Sequence, residues 1–350
     1  MTMRERMLRI VRGEGPDRVP FVQYSGLAAP DAAVWARVGR ENMGLLRWTG
    51  VHRLETPHCS FSREELASDG RRGFRQTLHT PEGRLFEERL YEPAYGTSAA
   101  RTHFVKEPED YRVLLAYLRD VRVHLDLDPF YETLEALGDD GLPHVAVLRS
   151  PFQQLWIQWV SLTDLAGHVA EYPEVMEEVF ATFEEVQRRV FETVCGAACL
   201  APIPYVDVPD NITAPVIGEA FFRRHCLPAY DLLAAMLADT GKDIPVYVHM
   251  DGNLRPLWQA ITDSRVRGLD SMSPPPDNDT SVADAVARWP EMRIGVNYPS
   301  SVHLAPPDQV YAHTIRLLEE GAHTGRLQIQ VSENVPAGVW ERSFPALVKA

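Results

Sequence analysis

Short apolar runs alternate with longer amphipathic stretches through most of the chain. Val19-Pro-Phe-Val-Gln-Tyr24 follows a Gly13-Glu-Gly-Pro-Asp-Arg18 turn and reads as a first short strand. Val145-Ala-Val-Leu148 has no polar alternation, the mark of a strand buried on both faces of a parallel sheet. From Pro173 to Val194, the residues Val175, Met176, Val179, Phe180, Phe183, Val186, Val190 and Val194 recur at helical spacing among Glu and Arg, which predicts a long outer helix. The second half keeps the rhythm, with strands expected over 203–208, 244–249, 268–272, 292–296 and 327–332. Helices are expected over 219–238, 257–262, 282–287 and 307–320. Repeated strand–helix units imply a parallel sheet with right-handed crossovers, and this many favour a closed (β/α)8 barrel. The alternative, an open doubly wound sheet, lacks its glycine-rich dinucleotide loop here.

Two segments stand outside that rhythm. An amphipathic helix at the amino terminus turns Met3, Met7, Ile10 and Val11 toward the body of the protein. Residues from about 74 to Tyr95 read as a β-hairpin, with a Pro81-Glu-Gly83 turn between two runs, and Glu107-Pro108-Glu109 opens a helix through Leu118. Residues 1–350 are expected to form one barrel domain, with the region of about 60–125 as an excursion within it.

Composition narrows the class of protein. Hydrophobic residues at 45% and charged residues at 24% describe an ordinary core and a solvated surface, and no long uncharged run could span a bilayer. The net charge of −14 disfavours nucleic acid as a partner. Cys59, Cys195, Cys199 and Cys226 are too few and too irregular for a disulfide framework, and the basic amino terminus lacks the apolar stretch of a secretory signal. A cytoplasmic protein, off the membrane and acting on a small molecule, is the expectation.

Barrel enzymes gather their chemistry from strand ends, and three ends here carry ionisable groups. In Pro245-Val-Tyr-Val-His-Met-Asp-Gly-Asn253, period-two alternation turns Tyr247, His249 and Asp251 toward the barrel axis. His249 and Asp251 form half of a divalent metal site, or a general base with its partner, or a hydrogen-bonded pair capping the next helix. Tyr205-Val-Asp-Val-Pro-Asp-Asn211 offers Asp207 and Asp210 as catalytic carboxylates and Asn211 as a substrate contact, unless these residues only build a turn. Val331-Ser-Glu-Asn-Val-Pro336 ends the last strand. Alternation places Glu333 with Ile329 and Val331, so it reaches the barrel mouth only if the chain turns there. Tyr24, Tyr205, Tyr247 and Asn297, at or beside strand ends, join Asn211 as candidate substrate contacts.

Several of these stretches, in this order, resemble the uroporphyrinogen decarboxylase superfamily, which includes the zinc-dependent methylcobamide methyltransferases. They are Arg4-Glu-Arg-Met-Leu with Pro16-Asp-Arg-Val-Pro20, Lys106-Glu-Pro-Glu-Asp-Tyr111, Pro209-Asp-Asn211, His249-Met-Asp-Gly-Asn253 and Glu333-Asn-Val-Pro336. The methyltransferases bind zinc through a His-x-Cys-Gly strand end and a later Cys-x-x-Pro cysteine. By that resemblance His249 matches the histidine, while Asp251 and Glu333 stand where the family has cysteines. Two carboxylates and an imidazole make a harder site, suited to zinc first and otherwise to manganese, iron or magnesium. The resemblance implies methyl transfer between a small substrate and a corrinoid (cobalamin) cofactor carried by a corrinoid-binding protein. The alternatives are a decarboxylase or lyase acting on a small carboxylated substrate, and a silent binding protein. Decarboxylases acting on uroporphyrinogen carry an Arg-Gln-Ala-Gly-Arg motif after the first strand, where this chain has Gln23-Tyr-Ser-Gly-Leu27, so a polyanionic porphyrinogen is not the expected substrate.

Overall fold

The computed structural model describes residues 1–68, 70–93 and 96–350, and the chain forms two compact units. The first comprises Met1–Val51, Asp126–Val147 and Cys195–Ala350; the second comprises His52–Leu125 and Leu148–Val194. Among the described residues no helix is long and apolar enough to cross a membrane.

The first unit holds a closed, all-parallel (β/α)8 barrel. Its strands are β1 (Phe21–Tyr24), β2 (Gly44–Thr49), β3 (Gly141–Ala146), β4 (Val206–Val208), β5 (Val246–His249), β6 (Gly268–Met272), β7 (Arg293–Asn297) and β8 (Leu327–Val331). Each pairs with its neighbours in sequence, and β8 closes on β1 with Phe21 opposite Ile329. The sequence pattern anticipates every barrel strand except β2, whose Gly-Leu-Leu-Arg-Trp-Thr is neither a continuous apolar run nor a clean alternation. It also begins β3 too late, because Gly141, Pro143 and His144 read as loop yet are wholly buried in the strand. The helix expected over 219–238 is two, Ala214–His225 and Leu227–Asp239, separated at Cys226. Pro228, which has no N–H to donate, fits the first turn of the second helix and would break the interior of a single one.

The amino-terminal helix, Met3–Arg12, starts on a capping box between Thr2 and Glu5 and stops at Gly13, whose φ of 73° suits a residue without Cβ. Its buried Met3, Met7 and Val11 pack into the barrel interior against Val22, Leu46, Leu142, Tyr205 and Tyr247. Arg293 of β7 clasps it by donating from Nε to the Val11 carbonyl at 2.9 Å. One period of two further along the strands, the interior changes character: Tyr24, His144, Asp207, His249, Asp270 and Gln330 follow the apolar layer and are all buried. The barrel thus has an apolar floor and a polar storey above it, toward the carboxyl ends of the strands.

The second unit carries a four-stranded antiparallel sheet of Ser60–Ser68, Arg71–Thr80, Gly83–Glu92 and Thr97–Thr102. The expected hairpin is its middle pair, with Thr80 opposite Gly83 at the turn; Tyr95, at the far end of the expected segment, lies outside the described residues. A two-stranded ribbon pairs His52–Glu55 with Arg122–Leu125. Helix Tyr111–Asp120 follows a tight turn at Pro108–Asp110, and the long helix Pro173–Ala198 buries Met176, Val179, Phe180, Phe183, Val186, Val190 and Val194 along the anticipated stripe.

Candidate functional site

The three residues proposed as metal ligands meet at the carboxyl end of the barrel. His249 ends β5 with its ring buried, and its Nε2 lies 3.8 Å from Asp251 Oδ2 and 3.9 Å from Glu333 Oε1. The turn that Glu333 requires is present: β8 stops at Val331 and the chain bends at Glu333. Asn297, at the end of β7, holds that bend. Its Oδ1 accepts from the Ser332 N–H at 3.1 Å and the Ser332 hydroxyl at 3.0 Å, while its Nδ2 donates to Ser273 Oγ at 3.1 Å. Both ends of the Asn297 amide therefore serve the scaffold. Asp251 is fixed through its backbone, its carbonyl accepting from Asn278 Nδ2 at 2.7 Å.

Asp270 of β6 stands directly behind His249. Its Oδ2 lies 3.1 Å from His249 Nδ1 and accepts from the Tyr24 hydroxyl at 2.5 Å, and its Oδ1 accepts from Gln330 Nε2 at 2.7 Å. With the proton on Nδ1 facing Asp270, the Nε2 lone pair points at Asp251 and Glu333, the carboxylate–histidine arrangement that orients a metal-binding imidazole. Burial pushes the Asp270 carboxyl upward, but His144, His249 and the Tyr24 hydroxyl outweigh it and hold the group well below the usual carboxylate range. Burial likewise disfavours a charged His249, and the neighbouring Asp251 and Asp270 carboxylates overcome that and raise its pKa well above that of a free histidine. Glu333 is shifted upward by burial and by the nearby Asp251.

A second group of buried polar residues lies on the neighbouring strands. His144 of β3 and Asp207 of β4 approach to 3.3 Å, and His144 Nδ1 lies 2.7 Å from the Tyr205 hydroxyl. Trp48 of β2 covers the imidazole, ring edge to face at a centroid distance of 4.1 Å. Burial opposes a charged His144, but Asp270 and Asp207 prevail and raise its pKa; burial also raises that of Asp207. Asp210 is buried and accepts a 2.5 Å hydrogen bond from Tyr230 Oη of helix Leu227–Asp239, while Asn211 beside it is half-buried. Tyr247 packs in the apolar layer, its ring against Tyr205 at 4.6 Å.

Sequence reasoning did not single out His144, Asp270, Gln330 or Trp48. Asp270 had a usable signal, a charged residue in the middle of an otherwise buried strand, which survives in a core only when paired. His144 was hidden by the misplaced start of β3, and Trp48 and Gln330 read as ordinary strand residues.

The donor set fits a small divalent ion. Bonds of about 2.0–2.2 Å separate neighbouring ligands of a tetrahedral or octahedral ion by roughly 3.0–3.5 Å. The separations of 3.8 and 3.9 Å need a contraction of only a few tenths of an ångström, which the half-exposed Asp251 and Glu333 side chains can supply.

A methyltransferase from Methanosarcina mazei has a similar fold, at a TM-score of 0.56 and 12% identity over 100% of this chain and 98% of that one. A psychrophilic glycoside hydrolase family 10 endo-beta-1,4-xylanase is more distant, at a TM-score of 0.33 and 12% identity over 64% of this chain and 81% of the other. No curated relative matches the sequence. The family model for uroporphyrinogen decarboxylase (URO-D) matches residues 94–349, well over half of the chain, and with the closed barrel this establishes that the protein belongs to the uroporphyrinogen decarboxylase family.

Proposed function

We propose that this protein is a metal-dependent, methyltransferase-like enzyme that moves a methyl group between a small substrate and a corrinoid borne on a separate protein. The observation that carries this reading is the convergence of His249 Nε2, Asp251 and Glu333 at the barrel mouth, with Asp270 behind the imidazole. These three side chains would hold zinc, or manganese, iron or magnesium. A bound ion there supplies Lewis acidity, lowering the pKa of a substrate heteroatom. The chain itself performs the positioning. Tyr24 and Gln330 fix Asp270, Asp270 fixes the His249 ring, and Asn297 fixes the bend that presents Glu333. Carboxylates in place of thiolates favour an oxygen or nitrogen acceptor over a thiol, since two thiolates would donate more charge to the ion. Of the candidate contacts, Asn211 is half-buried and open to a substrate, as is the half-exposed Trp48, whereas the buried Tyr24 spends its hydroxyl on Asp270.

The test is methyl transfer from methylcobalamin to a panel of small alcohols, amines and thiols, followed by the visible spectrum of the corrinoid. Metal-loaded wild type should demethylate it in the presence of an acceptor, and His249→Ala should not. Equal rates for the two proteins, or none with any acceptor, would refute this function.

A second reading is a lyase that releases carbon dioxide from a small carboxylated substrate, with Asp207 or Asp210 exchanging the proton. The family itself favours it, since its description names a decarboxylase. Carbon dioxide release abolished by Asp207→Asn or Asp210→Asn, with corrinoid untouched, would select it.

A further inference from the structure

We propose that the interior of the barrel holds a second cation, bound by His144 Nε2, Asp207 and Asp270, beneath the ion at the mouth. These three side chains come from β3, β4 and β6 and are 0%, 0% and 3% exposed. Their ligand atoms all lie within 4.8 Å of one another, with His144 Nε2 at 3.3 Å from Asp207 Oδ2 and 3.8 Å from Asp270 Oδ2. The first separation matches that of neighbouring ligands on a small divalent ion, and the second closes with a shift of a few tenths of an ångström.

What points to a ligand is the state of these atoms. His144 Nε2 and both oxygens of Asp207 are buried without a hydrogen-bond partner, so the 3.3 Å approach is a charge contact and not an aligned hydrogen bond. A carboxylate enclosed with neither oxygen paired is costly, and folded proteins rarely leave one so. The three groups converge with lone pairs and negative charge and offer no donor that satisfies both Asp207 oxygens. A divalent cation meets all of them at once and cancels the charge of two carboxylates. The surroundings are built accordingly. The Tyr205 hydroxyl at 2.7 Å from His144 Nδ1 sets the ring so that Nε2 faces the carboxylates, and Gln330 holds the far oxygen of Asp270 at 2.7 Å. One imidazole and two carboxylates suit zinc, manganese or ferrous iron and not a soft thiophilic metal. The competing arrangement, a single proton shared by His144 and Asp207, binds no ion and is excluded or selected by counting.

The full-length protein is loaded with zinc, freed of loose metal by gel filtration and analysed for zinc per chain. Wild type should carry two ions, His249→Ala one and Asp207→Asn one, with thermal melts confirming that the variants are folded. The two sites share Asp270, whose Oδ2 also faces His249 Nδ1, so the variants are made at His249 and Asp207, each in one site alone, and the outcomes separate them. One ion in wild type and none in His249→Ala overturns the buried site alone; one ion in both, lost in Asp207→Asn, supports it and overturns the mouth site. Should Asp207→Asn not fold, anomalous scattering at the zinc edge from crystals of His249→Ala decides. A peak between His144 and Asp207 supports the site, and its absence refutes it.

Discussion

Replacing Asn297 by alanine isolates the device that presents Glu333. The side chain makes three hydrogen bonds, two to Ser332 and one to Ser273, and all three residues are buried. A neutral hydrogen bond contributes about 0.5–1.5 kcal/mol net, and a buried donor left unpaired costs about 1–3 kcal/mol. Losing the three and stranding the Ser332 N–H should destabilise the protein by roughly 2–4 kcal/mol. The more informative effect is on metal binding. With its bend released, Glu333 no longer stands at 3.9 Å from His249, and removing such an orienting partner typically weakens a metal site by about 10–100-fold. Competition with a chromogenic chelator at fixed pH measures this directly, with Glu333→Ala and the double variant alongside. If Asn297 acts only by placing Glu333, the double variant binds metal no more weakly than Glu333→Ala, a coupling of about 1.4–2.7 kcal/mol. Additive losses in the two single variants, or wild-type affinity in Asn297→Ala, would refute the positioning role.

Three further outcomes are expected. Asp270→Asn should weaken metal binding at the mouth by about 10–100-fold, because the imidazole loses the carboxylate that orients it; unchanged affinity in the chelator assay would show that Asp270 does not tune His249. The folded-state pKa of His249 is raised, so its contribution to the stability of the metal-free protein is fully present below its unfolded value of 6.5 and is lost as pH rises through the folded value. Thermal melts of metal-free protein should therefore fall as pH rises above 6.5, with a shallower fall in His249→Ala; an equal slope in both proteins would assign the effect elsewhere. Gly268→Ala would place a Cβ 2.4 Å from the Tyr247 ring, which is locked in the apolar layer, and the overpacking should cost about 1–3 kcal/mol in a denaturant titration; a neutral result would mean that the ring moves freely.

The barrel was legible because β1 and β4 to β8 are short, buried segments carrying Val, Leu, Ile, Met, Phe and Tyr, and they recur between amphipathic helices. β2 was not, since only its first half is fully buried and its residues follow neither period. At the site, His249 and Asp251 could be read together because a period of two links them along one strand. That Glu333 joins them depends on a bend held by Asn297, a contact from another strand that no local pattern announces. The roles of Asp270 and Gln330 escaped for a similar reason: a charge inside a buried strand marks Asp270 as paired, but its partners are distant in sequence, such as His249 at 21 residues or Gln330 at 60.

The closure of β1 on β8 sets the order in which this barrel can be assembled. Phe21 is made long before Ile329, its partner across the seam, so on the ribosome the first strand waits for nearly the whole chain before its outer edge is paired. The same seam brings Tyr24 from β1 and Gln330 from β8 to opposite oxygens of Asp270. Until it shuts, that carboxylate has neither the phenol nor the amide, so closing the cylinder and completing the Asp270 contacts are one and the same event.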